Sequence, residues 1–201
     1  LSAELHDGTK IVGEHEIDEP ITKKRAPIKR VKLSHAEANP RVINAIGRAD
    51  AIILGPGDLF TSTFPNLLVP GVAEAIAASP ARKVLITNIM TKIGQTDGFT
   101  ASRFLSVVNE YLTGEKTAGR IDTVIVNTEK PPETILKRYR KEKAVFVRPD
   151  IEKMKSEKVT IIAKPVISKH PVKKVNGDAL KRSLIRHDAE KTAAIIWELI
   201  K

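Results

Sequence analysis

Residues 51–71, AIILGPGDLFTSTFPNLLVPG, decide the fold, because a strand pattern, a glycine-containing turn and a helical pattern follow one another directly. The run AIIL is apolar throughout, as is typical of a strand that is buried on both faces. Gly-Pro-Gly then interrupts it, and residues 65–79 carry apolar side chains at helical spacing. The stretch therefore predicts a strand followed by a helix.

The same alternation continues along the chain. Apolar runs rich in valine and isoleucine predict further strands at residues 83–89, 122–127, 144–147 and 159–163. Helical patterns lie between them at residues 100–112 and 131–142. Because parallel strands must be joined by crossover connections, this order predicts an α/β fold with a mostly parallel sheet and helices on its faces.

The two ends of the chain differ in style. Asp7-Gly8 between alternating segments predicts an N-terminal β-hairpin, and a further strand and a short helix follow at residues 27–33 and 38–48. The C-terminal residues 186–201 predict an amphipathic helix that turns Ile195, Ile196 and Leu199 inward. We expect residues 1–201 to form a single α/β domain, in which residues 1–45 hold the hairpin and a basic strand and helix, and residues 46–201 hold the βα repeats and the C-terminal helix.

Composition excludes several classes of protein. The chain has no cysteine, so disulfides, iron–sulfur clusters and thiolate zinc sites are excluded, and its five histidines have no metal-ligand spacing. No metal site is therefore predicted. No apolar run approaches the ~20 residues that span a bilayer, and the N-terminus lacks a signal-peptide pattern. These features favour a cytoplasmic location without membrane attachment.

The net charge of +10 suggests a polyanion as partner, but the charge is unevenly placed. Residues 20–48 carry one acid and eight bases, Lys23, Lys24, Arg25, Lys29, Arg30, Lys32, Arg41 and Arg48. No aromatic residues are interleaved for base stacking. A solvated basic face is favoured and nucleic acid is an improbable partner, although a polyanion-binding surface from Lys23 to Lys32 remains an alternative.

Two polar loops at strand ends are candidate binding sites, because ligands of open parallel sheets bind beyond the carboxyl ends of the strands. The first contains Gly55, Pro56, Gly57, Asp58, Thr61 and Ser62. Its glycines would let the backbone approach phosphate or sugar oxygens, but a plain strand-to-helix turn with a capping residue fits locally as well. The second contains Asn88, Met90, Thr91, Thr96, Asp97 and Gly98. It is longer than a usual connection, and capping of the next helix by Asp97 or Thr100 would leave its other polar groups unexplained. A functional loop is therefore favoured there.

The blocks LGPGDLFTSTFPNLLVPGVAEAI and NIMTKIGQTDGFTAS, with Arg186-His187-Asp188 further on, resemble the gluconeogenesis-factor branch of the CofD/YvcK superfamily. That branch has GPGSLYTS, PNLLV, NIMTQPGETDGYTA and a later RHD. The resemblance implies a Rossmann-like three-layer fold and a regulatory protein of carbon metabolism and cell-wall synthesis that binds a nucleotide sugar such as UDP-N-acetylglucosamine, with no established reaction. The sequence leaves open whether the protein forms a homo-oligomer.

The resemblance also assigns expected roles. Gly55 and Gly57 would offer backbone N–H groups, Thr61 and Ser62 would bond phosphate or sugar oxygens, and Asn66 and Asn88 would read the sugar or base. Asp97 would orient the second loop. Arg186, His187 and Asp188 are further possible ligand contacts, although a polar cluster at a helix start explains them locally.

The other branch of the superfamily supplies the alternative function, a 2-phospho-L-lactate transferase that uses a divalent metal ion. Its first loop is closer to GPSNPVTS, so the Gly-Pro-Gly of this chain favours the regulatory branch and leans against an enzyme. The chain departs from the regulators at Asp58, where they usually have serine, and at Lys92, Ile93 and Gln95, where they have Gln, Pro and Glu. It also lacks the N-terminal GGGTG segment, so we expect it to correspond to the C-terminal part of a longer family fold.

Overall fold

A computed structural model describes residues 1–21, 24–114, 116, 118–170 and 184–201. The N-terminal part forms a three-stranded antiparallel sheet in the order β2-β1-β3. Its strands are β1 (Ser2–Leu5), β2 (Lys10–Val12) and β3 (Ile28–Lys32). The predicted hairpin is confirmed at Asp7-Gly8: Gly8 has a φ of 85°, and the Thr9 N–H donates to Asp7 Oδ1 at 2.9 Å.

A second sheet has four parallel strands in sequential order. They are β4 (Ala51–Leu54), β5 (Arg82–Ile86), β6 (Thr123–Asn127) and β7 (Thr160–Lys164). This sheet confirms the predicted α/β class. The strands β5 and β6 are buried along most of their length, which explains their nearly continuous apolar sequence.

Helices connect and flank the strands. In chain order they are α1 (Glu14–Asp18), α2 (Pro40–Gly47), α3 (Phe64–Leu67), α4 (Val72–Ala78), α5 (Ala101–Thr113), α6 (Glu133–Lys141) and α7 (Ala189–Ile200). A single π-helical turn, Leu59–Thr63, precedes α3, and a 3₁₀ helix, Ile151–Met154, precedes β7. None of the helices in the described ranges combines the length and apolar character needed to cross a membrane.

The parallel sheet is the middle of three layers. Leu85 and Val124 point to one face, where they join Phe104 of α5 in the main core. Ile86 and Ile125 point to the other face, where Ile195 of α7 packs against the same cluster. Ile196 and Leu199 of α7 also pack there, so the predicted inward side of the C-terminal helix is confirmed.

The N-terminal sheet shares the main core. Ala3 and Leu5 of β1 and Val31 of β3 are buried in the same apolar cluster as Phe104. Tyr111 of α5 fixes this contact, because its hydroxyl accepts a hydrogen bond from the Val31 N–H at 2.9 Å.

The strand predicted at residues 144–147 is wrong as a member of the parallel sheet. Lys143 has a φ of 58° and turns the chain after α6, and the following segment forms only an antiparallel bridge between Phe146 and Met90. The segment therefore runs along the second polar loop instead of joining β7. Phe146 packs with Met90 of that loop and Leu136 of α6, whereas Val147 is buried in the main core, so the strand-like pattern arose from packing outside the sheet.

The helical pattern at residues 65–79 is divided in two. Pro70 cannot donate a helical hydrogen bond, and Gly71 has a φ of 85°, so α3 ends before them and α4 begins at Val72. The preceding π-helical turn is closed by the Thr63 N–H, which donates to the Asp58 carbonyl at 3.2 Å. The first loop consequently enters its helices through a wide turn that begins at Asp58.

Candidate functional site

A cleft of about 800 Å³ opens beyond the carboxyl ends of β4 and β5. Its lining comes from the first and second polar loops, from the end of α1, from α6 and from the segment before α7. The lining residues are Asp18, Glu19, Pro56, Gly57, Asp58, Asn88, Ile89, Met90, Thr91, Lys92, Tyr139, Ile185, Arg186 and His187. The cleft thus lies where ligands of open parallel sheets bind, and it brings both predicted loops together with the RHD segment.

Asn88 ties the two loops to each other. Its side-chain oxygen accepts from the Gly57 N–H at 3.1 Å, and its side-chain nitrogen donates to the Gly57 carbonyl at 2.8 Å. One amide side chain therefore satisfies both backbone groups of Gly57 and fixes the spacing of the first loop from the second.

A charged group of three side chains forms one wall. The Lys92 ammonium donates to Asp18 Oδ1 at 2.5 Å and to Asp58 Oδ2 at 2.7 Å. Asp18 Oδ1 also accepts from the Thr61 hydroxyl at 3.0 Å and from Gln95 Nε2 at 2.9 Å. Asp58 and Lys92, two departures from the regulators' pattern, therefore form an ion pair, and the negative charge of Asp58 faces a cation.

The protonation of this wall follows from its geometry. Burial alone would raise the pKa of the Asp18 carboxyl, but the hydrogen bond and charge of Lys92, with the bonds from Thr61 and Gln95, outweigh it and hold that pKa below its usual range. Burial also disfavours the Lys92 ammonium, yet the two carboxylates outweigh burial and raise the pKa of Lys92. Asp18 is therefore ionised and Lys92 protonated at neutral pH.

The second loop is hydrogen-bonded to residues 144–147, the segment that had been predicted as a strand. The Thr91 N–H donates to the Val145 carbonyl at 2.8 Å, and the Val145 N–H donates to Thr91 Oγ1 at 2.9 Å. The Val147 N–H donates to the Ile89 carbonyl at 2.9 Å. These bonds, with the Arg25 guanidinium that donates to the Gly94 carbonyl at 2.5 Å, leave the loop little freedom.

His187 supplies a neutral group to the cleft. Burial lowers its pKa, and a hydrogen bond with the Thr87 backbone offsets this only in part, so the imidazole is uncharged at pH 7. Its Nε2 is buried and has no hydrogen-bond partner among the described residues. Asp188 beside it caps α7, because its Oδ1 accepts from the Lys191 N–H at 3.0 Å.

The predicted site residues divide into two groups. Those that line the cleft are Pro56, Gly57, Asp58, Asn88, Met90, Thr91, Arg186 and His187. Those outside its lining are Gly55, Thr61, Ser62, Asn66, Thr96, Asp97, Gly98 and Asp188. Several of the second group have a local role in the chain that needs no ligand.

Those local roles are hydrogen bonds within the loops. Asn66 Nδ2 donates to the Ser62 carbonyl at 2.7 Å, and Thr96 Oγ1 accepts from the Lys92 N–H at 2.8 Å. Asp97 Oδ2 accepts from the Gly94 N–H at 2.5 Å, so this carboxylate orients the second loop from inside.

Sequence reasoning missed several lining residues. Asp18 and Glu19 come from the end of α1, and Tyr139 comes from α6. Nothing in the local sequence of Asp18 marks it as a site residue, because its position depends on how the N-terminal sheet packs on the rest of the chain. The Tyr139 hydroxyl accepts from the Leu184 and Ile185 N–H groups at 3.1 and 3.4 Å and so holds the RHD segment near α6.

Gly55 and Gly57 show no conformational need for glycine. Neither has a positive φ. A Cβ on Gly55 would meet nothing within 4 Å, and one on Gly57 would meet only Ser62 Cβ at 3.9 Å, an ordinary contact. Gly119 is the opposite case, since its Cβ would lie 2.5 Å from the Ala77 carbonyl oxygen. At Gly57, which lines the cleft, the missing side chain leaves room for a ligand to approach the loop, although both backbone hydrogen-bonding groups of Gly57 are bonded to Asn88.

Two further features bear on partners. The described residues contain no group of three or more His, Asp or Glu side chains placed to hold a metal ion. In the basic stretch, Lys29 and Arg30 both pair with Glu4, at 3.2 and 2.5 Å, while Lys23, the first residue of the predicted polyanion surface, lies outside the described residues.

Comparison with known proteins places these features in a family. The family model for the 2-phospho-L-lactate transferase CofD matches residues 1–167. The chain is 36% identical to the gluconeogenesis factor of Bacillus subtilis, covering all of this chain and 58% of that protein. It is 40% identical to a putative gluconeogenesis factor of Thermotoga maritima, covering 98% of this chain and 57% of that protein. The chain belongs to the CofD family.

A solved structure agrees with the fold. A crystal structure of a Bacillus halodurans protein superimposes with a TM-score of 0.83 at 37% identity, covering 98% of this chain and 58% of that one. The chain therefore spans rather more than half the length of the relatives that it matches. The resemblance seen in the sequence is confirmed, and so is the α/β fold that it implied.

Proposed function

We propose that the chain belongs to a regulatory protein that binds a nucleotide sugar of the UDP-sugar type in this cleft and acts in carbon metabolism and cell-wall synthesis. The names of the relatives, gluconeogenesis factor and putative gluconeogenesis factor, support the regulatory half of the proposal. The observation that carries the binding half is the cleft beyond the carboxyl ends of β4 and β5, which Gly57 lines although neither its φ nor its packing requires glycine. Glycine at such places lets a ligand approach the main chain closely.

The remaining lining suits the parts of a nucleotide sugar. Arg186 is exposed at the cleft and has no carboxylate partner among the described residues, so its guanidinium can take a phosphate in a two-bond contact. Lys92 cancels the charge of one of its two carboxylates, which lowers the repulsion that an anionic ligand would meet. The neutral His187 and the apolar Met90 and Ile185 offer a surface for a sugar or a base.

Calorimetry with UDP-N-acetylglucosamine tests the proposal on this chain and on the whole Bacillus subtilis relative. Gly57→Ala should weaken binding about tenfold or more, because the added methyl would stand between the backbone and the ligand. Gly47→Ala is the matched control, since a Cβ there meets nothing within 4 Å and Gly47 lies in α2, outside the cleft lining. Absence of binding in both wild-type proteins would refute the proposal, and equal binding by Gly57→Ala would remove the backbone contact from it.

A second candidate function is a group transferase, which the CofD family match favours. That reaction class uses a divalent metal ion, and the cleft carboxylates do not suit one as they stand, because the Lys92 ammonium already lies between Asp18 and Asp58. Turnover of a nucleotide-linked phospholactate with a deazaflavin acceptor, dependent on added magnesium or manganese, would favour the transferase over the regulator.

A further inference from the structure

The cleft wall that Asp18, Asp58 and Lys92 form carries more negative than positive charge. One ammonium is bonded to two carboxylates, at 2.5 and 2.7 Å, so one negative charge is left unbalanced. Glu19 follows Asp18 in the chain, is exposed and lines the same cleft. This part of the cleft is therefore acidic, although the whole chain has a net charge of +10.

The wall also presents hydrogen-bond acceptors to the cleft. Asp58 uses Oδ2 for Lys92, and Asp18 uses Oδ1 for all three of its donors. The other two oxygens, Asp58 Oδ1 and Asp18 Oδ2, accept no hydrogen bond from the described residues. The side chain of Asp58 is 36% exposed, so a ligand can reach it. The wall therefore suits a group that donates hydrogen bonds, and it does not suit a group that only accepts them.

The phosphates of a nucleotide sugar are favoured elsewhere in the cleft. Asp58 follows β4, at one end of the four-stranded sheet. Arg186 approaches from the side of β7, because His187 next to it forms an antiparallel bridge with Ile167, shortly after that strand. A diphosphate is attracted by the Arg186 guanidinium and repelled by the acidic wall. The glycosyl group is therefore the part of the ligand that would face the wall.

We propose that Asp58 determines the sugar specificity of the cleft, so that a neutral glycosyl group is accepted and a uronic acid is excluded. The inference rests on the proposed function, since it concerns the sugar of the same ligand. Hydroxyl groups of a neutral hexose can donate to the free oxygens of Asp58 and Asp18. A uronate carboxylate would instead add a third negative charge beside an ammonium that two carboxylates already share.

Two ligands that differ in one group test the proposal. UDP-glucuronate carries a carboxylate where UDP-glucose has a hydroxymethyl group, and the two are otherwise alike. Calorimetry should show that the wild-type chain binds UDP-glucose about tenfold or more tightly than UDP-glucuronate. Asp58→Ser should reduce this ratio to about threefold or less, because it removes one of the two negative charges that face the carboxylate.

Lys92→Gln should change the ratio in the opposite direction. It removes the cation and leaves both carboxylates in place, so the preference for UDP-glucose should increase. Opposite effects of the two substitutions separate a charge effect from a merely structural one, because a distorted wall would weaken both ligands alike and leave the ratio unchanged.

Asp50→Ser is the matched control for Asp58→Ser. Asp50 is exposed and precedes β4 at its amino end, whereas Asp58 lies beyond the carboxyl end of the same strand and lines the cleft. The control should leave the ratio as it is in the wild type. Equal affinity of the wild type for the two ligands, or a ratio that Asp58→Ser leaves unchanged, would overturn the proposal.

The whole Bacillus subtilis relative provides a second test. Aspartate placed at the position that aligns with Asp58 should lower its affinity for UDP-glucuronate about tenfold more than its affinity for UDP-glucose. Equal losses for the two ligands would contradict the assigned role. If neither protein bound UDP-glucose or UDP-N-acetylglucosamine, the proposed function would fail and the specificity with it, whereas binding without discrimination would overturn the specificity alone.

Discussion

The main core and the cleft are held together in different ways. The core, around Phe104 and Val124, consists of buried aliphatic side chains with a few aromatic rings, and its stability comes from buried apolar area. The cleft is held by single polar contacts, of which Asn88 with Gly57 and Lys92 with its two carboxylates are the main ones. Substitutions that remove buried volume from the core should therefore lower the free energy of unfolding strongly. Substitutions of the polar residues of the cleft should lower the free energy of unfolding less but weaken ligand binding more.

The largest effect should come from the core. Phe104→Ala removes a fully buried ring that packs edge-on against Phe99, with centroids 5.5 Å apart. It should cost about 3–5 kcal/mol of the free energy of unfolding, measured by urea denaturation. A loss below about 1 kcal/mol would show that the core is not the main source of stability.

Breaking the link between the loops should cost less. Asn88→Ala removes both hydrogen bonds to Gly57 at a half-buried position, so we expect a loss of about 1–2 kcal/mol in the same assay. Nucleotide-sugar binding should fall further than stability, because the spacing of the loops would no longer be fixed. Unchanged binding in a folded Asn88→Ala protein would contradict this role.

The ion pair should have a smaller but measurable coupling. A double-mutant cycle of Asp58→Ser and Lys92→Gln, which restores the residue types usual in the regulators, should give a coupling energy of about 0.5–1 kcal/mol, since both side chains are partly exposed. Lys92→Gln alone should be the least stable member, because it removes the ammonium that is bonded to both Asp18 and Asp58. Additive effects would mean that the contact contributes nothing.

The smallest effect should be a dependence on pH. The folded-state pKa of His187 lies below its ordinary value of ~6.5, so between the two values the unfolded chain binds a proton that the folded chain does not. The contribution of the neutral His187 to the free energy of unfolding is complete above pH ~6.5, and it is lost as the pH falls through the folded-state pKa. The stability of the wild type relative to His187→Gln should therefore decrease from pH 7 to pH 5, and a constant difference would contradict it.

The sequence predicts the core better than the cleft, for a physical reason. Strand and hairpin patterns depend on local burial and turn chemistry. The apolar run around Val124 and the Asp7-Gly8 turn can therefore be recognised from neighbouring residues in the sequence alone. The segment at residues 144–147 misled because packing on a loop demands the same apolar residues as packing in a sheet.

The cleft could be located from its strand ends, but not completed. The positions of the two loops follow from the parallel order of β4 and β5, and residues of both loops line the cleft. Asp18 could not be located in this way, because it lies at the end of α1 and its partner Lys92 is 74 residues away in the chain. Only the three-dimensional packing shows that the two departures at Asp58 and Lys92 compensate each other.

That pairing constrains the order in which the two residues can be acquired. In a chain with the regulators' serine and glutamine, gaining Lys92 first would place the new ammonium beside Asp18, which can bind it at once. Gaining Asp58 first would add a second carboxylate to the same wall with no cation to meet it. The lysine-first route avoids an unbalanced intermediate, so we expect natural relatives with serine and lysine to outnumber those with aspartate and glutamine.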